Sequence, residues 1–216
     1  MRWYLRFPLS SAHVAERMQE RGLAVDRRCI GRWVQEYGPE INRRCRSHWK
    51  PVNKSWRVDA TYLKVKGQDR YLSRAVDATG QTMDFLLTAK RDAAAAKRFL
   101  RKALDESANP QPRVIHVDQN PAYPAAVEQL QAEGTLRRRC RLRQCKFLNH
   151  RIEQDHRFVK QRMWLAKGYG SFPSAWRRLQ GIEAVHMMRK GRARWVGKGD
   201  VVAQARFLAK LFGLAA

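Results

Sequence analysis

The sequence predicts an α/β protein: a mixed sheet flanked by helices, preceded by a small all-α module. Three observations predict it. Residues ahead of Ser55 follow helical spacing and are strongly basic. From Ser55 the period changes to short runs of strand-forming residues. After the third such run, strands alternate with helix-like segments, the pattern of a layered α/β fold.

Taken in order, Ser10 and Ser11 offer N-caps for a helix over 12–21, and Gly22 stops it. Asp26 caps a second helix over 27–37, which Gly38-Pro39 ends. Two short helices joined by a tight glycine-containing turn form a helix-turn-helix pattern. In the second helix Ile30, Trp33, Val34 and Tyr37 share one face. Arg27, Arg28 and Arg32 then point elsewhere, two of them in the first turn, where a recognition helix reads base edges; the alternative is a plain helical hairpin with solvated arginines. Residues 40–54 are polar and basic and read as a linker. A strand over 56–66 is broken by Gly67; a second spans 71–77, a turn follows at 77–80, and a third strand spans 83–88. Asp92 caps a helix reaching Leu104, and 113–117 is a short apolar strand. Pro121 or Pro124 opens a helix to Ala132. Residues 136–147 hold one more strand, blurred by its basic content, and Asn149 caps a helix carrying Glu153. Segments 174–189 and 201–214 are helical. Meander, helix, strand, helix, strand, helix is the element order of the RNase H-like fold. The division that follows is a helix-turn-helix module over 1–39, a linker over 40–54, an RNase H-like core over 55–195 and a C-terminal helix over 196–216.

Charge narrows the function. Lys and Arg total 44 against 19 Asp and Glu, a net charge of +25 over 216 residues. Such an excess calls for a polyanionic partner. Seven Trp, six Tyr and eight Phe argue for a folded nucleic-acid protein over a disordered basic tail. No apolar run reaches 18 residues, and Met1 to Arg6 lack the apolar stretch of a secretory signal, so a cytoplasmic protein is expected, nucleoid-associated when DNA-bound. Cys29, Cys45, Cys140 and Cys145 read as reduced thiols. Cys140, Cys145 and His150 resemble an incomplete zinc set, with no second close pair.

Against this basic background three acids stand out. Asp59 lies in the first strand, Asp118 ends the fourth, and Glu153 rides a helix. If the two strands pair centrally, their aspartates become neighbours in the crevice where such sheets bind ligands. On the helix each residue advances about 100°. Ile152, Val159 and Met163 share its apolar face, Glu153, His156, Arg157 and Lys160 fall together beside it, and Asp155 lands on the opposite flank. Glu153 is thus expected to hold a metal ion while Arg157 and Lys160 hold phosphates. Hard carboxylate oxygens suit magnesium, and two ions about 4 Å apart clamp an in-line phosphoryl transfer. His116, two residues before Asp118, is expected in the core or beside the ligands; Asp77 and Asp84 read as turn and edge acids.

Residues 119–152 put a 34-residue gap between Asp118 and Glu153, which with Asp59 resembles the D,D-34-E spacing of transposases and retroviral-type integrases; Lys160 occupies that group's basic position. More narrowly, Trp-Arg-Val-Asp at 56–59, Tyr-Leu-Lys-Val-Lys-Gly at 62–67, Ala-Lys-Arg-Asp-Ala-Ala-Ala-Ala-Lys-Arg-Phe at 89–99, Asp-Gln-Asn-Pro-Ala-Tyr at 118–123 and Leu-Asn-His-Arg-Ile-Glu-Gln-Asp-His-Arg at 148–157 resemble the bacterial insertion-sequence-six transposases. So does Gly-Ile-Glu-Ala-Val-His-Met-Met-Arg-Lys-Gly at 181–191.

The resemblance implies a DNA transposase whose helix-turn-helix binds terminal inverted repeats of double-stranded DNA. Its core, with Asp59, Asp118 and Glu153 as acidic triad and two Mg²⁺ ions (Mn²⁺ able to substitute), would nick each end and transfer the 3′-hydroxyl into target DNA, giving a cointegrate. Joining two ends implies a homodimer or larger assembly, with the side of 201–214 bearing Val202, Ala205, Leu208, Ala209 and Phe212 as one candidate interface. The chain departs from the family pattern at Ala60, where a Glu is usual, and at Gly31, where an aromatic is usual. The family also carries more sequence ahead of Trp3-Tyr4. The alternative expectation is an inactive or truncated copy acting only as a sequence-specific DNA-binding protein.

Overall fold

The computed structural model describes residues 1–145, 150–165 and 168–214. The chain forms two compact units: one of residues 1–49, 64–68 and 159–216, the other of residues 50–63 and 69–158. These units cross the boundaries drawn from the sequence, because chain from both ends contributes to the first.

In the first unit, α1 (Arg2–Arg6) precedes α2 (Ser11–Gln19), whose N-cap Ser10 accepts from the His13 amide. Gly22 takes φ +75°, which ends the helix at little steric cost. Asp26 caps α3 by accepting from the Arg28 amide at 2.6 Å. That helix spans Arg27–Arg46 and does not end at Gly38-Pro39, so residues 40–46 are helix where a linker was expected. Tertiary packing explains the difference. α7 (Phe172–Arg189) crosses α3 at Gly38 and Gly181. A Cβ on Gly38 would stand 2.6 Å from the Arg177 carbonyl oxygen. The glycine serves close approach, and this packing carries the helix through the proline. The buried stripe is Ile30, Val34, Gly38, Ile41, Asn42 and Cys45; Tyr37, expected in it, is exposed and meets Phe212 edge-on. α8 (Val201–Leu211) is capped by Asp200. Among the described residues no helix is long and apolar enough to cross a membrane.

The second unit is built on a five-stranded sheet of order β3-β2-β1-β4-β5 among the described residues. Its strands are β1 (Ser55–Val65), β2 (Gln68–Asp77), β3 (Thr82–Thr88), β4 (Val114–Val117) and β5 (Arg141–Gln144). The ends of β1 and β2 around the turn at Lys66 and Gly67, both at positive φ, belong to the first unit. β2 and β3 pair antiparallel; β1 with β4 and β4 with β5 pair parallel. Residues 136–140, expected in β5, lie outside it.

Helices α4 (Ala93–Asp105) and α5 (Ala122–Ala132) pack with one face of this sheet. Trp56 and Val58 from β1, Ile115 and Val117 from β4, and Phe99, Leu100, Ala126 and Leu130 from the helices form the core. Burying each large apolar side chain contributes about 1.5–3 kcal/mol. Even-numbered residues at the start of β1 thus face α4 and α5, which turns Arg57 and Asp59 to the other face. Helix α6 (His150–Leu165) follows; the expected Asn149 cap, the strand end at Phe147 and the His150 side chain lie outside the described residues. All four cysteines are free, and burial pushes the thiols of Cys45 up to about 12 and Cys140 up to about 11.

Candidate active site

The β1–β4 register sets Arg57 beside His116. Two residues further on, Asp59 in β1 and Asp118 just past β4 arrive at the same level of the sheet. One side chain joins them. The Arg91 guanidinium, between β3 and α4, places Nη2 2.5 Å from Asp118 Oδ2 and 3.7 Å from Asp59 Oδ1. Burial works against the Arg91 charge, but Asp118 foremost among its neighbours keeps its pKa above the ordinary range. Asp118 also accepts from the Asn120 amide at 3.2 Å, and Asn120 in turn caps the Ala122 amide. Buried Tyr123 lies beside the cluster; burial first, then Asp59, pushes its phenol well above the usual range.

Helix α6 meets this cluster through His156, whose Nε2 stands 3.4 Å from Asp59 Oδ2. The imidazole is buried, and that burial lowers its pKa although Asp59 pulls the other way. The helix's inward side differs from expectation. Ile152, Asp155, His156 and Val159 are buried, whereas Glu153, Arg157 and Lys160 are exposed. His156 therefore leaves the exposed basic row in which its angle placed it. Asp155 is held by Arg74 of β2 at 2.9 Å and by the Thr82 hydroxyl of β3 at 2.8 Å. A wheel drawn from apolar residues alone misplaces both, because it counts a paired charge as a surface group.

Asp59 and Asp118 are thus brought together, and Glu153 lies one helical turn from the His156 that touches Asp59. Among the described residues, no three His, Cys, Asp or Glu side chains are gathered as a metal-holding group. Arg91, Tyr123, Arg74 and Asp155 were missed by sequence reasoning. The signal for Arg74 was available: a cation inside a strand run whose remaining residues are apolar or small needs a buried partner. Asp77 is the turn acid that the sequence predicts: it accepts from the amides of Thr79 and Gln81. Asp84 is buried in edge strand β3 and paired with Lys102. In the first unit Arg27, Arg28 and Arg32 are exposed and line an open groove with Arg177 and Arg178.

Strand order and directions define an RNase H-like mixed sheet with a carboxylate pair where its two central parallel strands meet. Comparison with known proteins takes this to a family. A family model described as a DDE domain matches residues 53–192. The transposase for insertion sequence-like element IS431mec of Staphylococcus aureus (strain N315) is 36% identical over 192 residues, which cover 89% of this chain and 83% of that protein. The transposase for insertion sequence element IS257 in transposon Tn4003, also from Staphylococcus aureus, is 36% identical with the same coverage. Among solved structures, the HTLV-2 integrase catalytic core domain in complex with magnesium (trimeric form) is similar with a TM-score of 0.49 at 16% identity, over 67% of this chain and 95% of that one. The catalytic core domain of BIV integrase is similar with a TM-score of 0.47 at 15% identity, over 74% and 97%. The chain belongs to the insertion-sequence-six family of DDE transposases.

Proposed function

We propose that this transposase binds the terminal inverted repeats of its insertion sequence, nicks each end to free a 3′-hydroxyl, and joins that hydroxyl to target DNA in a replicative reaction that yields a cointegrate. Asp59, Asp118 and Glu153 are its catalytic acids. The observation that carries the reading is the aspartate pair on one guanidinium: β1 and β4 set two carboxylates close enough to share a single cationic nitrogen. Carboxylate oxygens are the hard donors that magnesium prefers, and Arg91 stands in for positive charge between them, so the residues fit a divalent site. Glu153 completes the set once DNA and ions are present. When bound, two Mg²⁺ ions (or Mn²⁺) stabilise the attacking and leaving oxygens of an in-line displacement.

The protein's own part is positional. Asp59 is held in place by its strand and by His156, and Asp118 by the turn that Asn120 closes. Arg157 and Lys160 hold phosphates from the exposed side of α6, while Arg27, Arg28 and Arg32 address the repeat ends. Two ends must meet in one reaction, so the active species is a homodimer or larger, formed in the bacterial cytoplasm on the nucleoid. Val202, which is 58% exposed, marks the end of α8 available for such pairing, whereas Phe212 on the same side packs against Tyr37.

The test is Asp118→Asn on a duplex carrying the element's end, with Mg²⁺. Binding is expected to persist while joining falls by about 10²–10³-fold or more, the scale of removing one group that stabilises transition-state charge. Unchanged joining would overturn the assignment, and wild-type protein that binds ends but never joins them would leave a DNA-binding protein only.

A further inference from the structure

The end of the sheet face behind Asp59 and Asp118 is as basic as the other is acidic. Parallel pairing aligns Arg57, His116 and Arg143 in one row across β1, β4 and β5. Next to that row a groove of about 540 Å³ is lined by Arg113, His116, Arg139, Arg141 and Arg143, and among the described residues no carboxylate lines it. Leu142, between two of these arginines, packs against the core, so alternation along β5 sends Arg141 and Arg143 to the groove side together.

None of these guanidinium groups has an ion pair or hydrogen bond among the described residues. Arg57 goes further: its Nε and Nη1 are buried and donate to nothing, and Nδ1 of His116 is equally unpartnered. Charges on an edge strand discourage strand addition. That purpose does not need guanidinium groups gathered in a concavity or unsatisfied donors two strands away on β1, since buried donors without acceptors are costly. An anion with several acceptor oxygens seated in the groove relieves the repulsion among its arginines.

We propose that this groove is a phosphodiester-backbone site, distinct from the helix-turn-helix, that receives duplex DNA and leads it along the sheet toward the aspartates. It rests on the transposase assignment for the identity of the polyanion alone. The row at Arg57 and His116 lies two strand residues from Asp59 and Asp118, about 7 Å. At about 3.4 Å of duplex axis per phosphate on each strand, this row sets its phosphate roughly two nucleotides from the reacting one, and Arg141, level with Val114, roughly four. The contacts are to backbone and carry no sequence preference.

The experiment measures binding of the full chain, without divalent ion, to two labelled duplexes, one bearing the element's end and one unrelated, across a series of KCl concentrations. Arg141→Gln with Arg143→Gln is expected to weaken both duplexes alike, by roughly 10–50-fold at 0.1 M salt, and to make the log–log salt slope shallower by about two. Replacing the same pair by Lys keeps the charge and is expected to retain the slope, which separates phosphate contact from a folding defect. An unchanged slope in a folded Gln variant would overturn the proposal, as would a loss confined to the element's end. Because no metal is present, either result is independent of whether Asp118→Asn abolishes joining.

Discussion

Two carboxylates on α6, separated by one residue, meet opposite surroundings. Asp155 is buried, gripped by Arg74 and by the Thr82 hydroxyl. Glu153, half a turn earlier, is exposed. In a chain of net charge +25 both acids could have been neutralised anywhere, yet only one is built into the sheet. The difference teaches which acid is scaffold. Asp155 fixes the helix on β2 and β3, and that fixes the turn whose His156 touches Asp59. Glu153, the third acid of the proposed site, then rides on a helix that its neighbour Asp155 anchors. A positioning acid and a reacting acid can share one helix only if the first is desolvated and satisfied and the second is left accessible.

The most damaging way to probe the contrast is Asp155→Asn. It removes the carboxylate 2.9 Å from fully buried Arg74, and losing one member of a buried pair costs about 3–5 kcal/mol. Urea unfolding should show that loss. Arg74→Met combined with Asp155→Leu should recover much of it, because an apolar pair replaces both charges at once. Thr82→Val is smaller: it removes one hydroxyl donor to a charged acceptor, worth about 1.5–3 kcal/mol. If both substitutions prove neutral, Asp155 is not the anchor described.

Arg91→Ala sharpens the other side of the comparison. Arg91 is about a third exposed, so little stability rides on it. Its removal frees the aspartate pair from a competing cation, and calorimetric titration should show Mn²⁺ binding several-fold more tightly in the absence of DNA. Weaker Mn²⁺ binding would mean that Arg91 orders the site for the ion.

The smallest effect is in pH. Burial lowers the His156 pKa in the folded chain, so the unfolded chain binds the proton more readily. The stability this neutral imidazole contributes is present above the unfolded value, about pH 6.5, and is lost as pH falls below it. Thermal melting from pH 7.5 down to 5.5 should show that decline, reduced in His156→Gln.

Much of this was legible in the sequence, for identifiable reasons. Caps at Ser10, Asp26 and Asp92 depend on local chemistry and are where the pattern placed them. The mixed sheet followed from element order, and the meeting of Asp59 with Asp118 from the condition that their strands pair centrally, as β1 and β4 do. Gly38-Pro39 misled because a local stop signal was overruled by the crossing of α7, which no local pattern reveals. Asp155 and His156 misled for the same reason in charge form: their partners, Arg74 and Asp59, are remote in sequence. Arg91, which ties the aspartates together, sits in a turn whose chemistry becomes visible only when both strands are in place.

The most direct test sets Glu153→Gln beside Asp155→Asn, scoring melting temperature and metal-supported joining of DNA ends on the same preparations. Glu153→Gln should melt like the unaltered protein and join no ends, while Asp155→Asn should melt well below both. Glu153→Gln protein that still joins ends at the normal rate would contradict the assignment of chemistry to that residue.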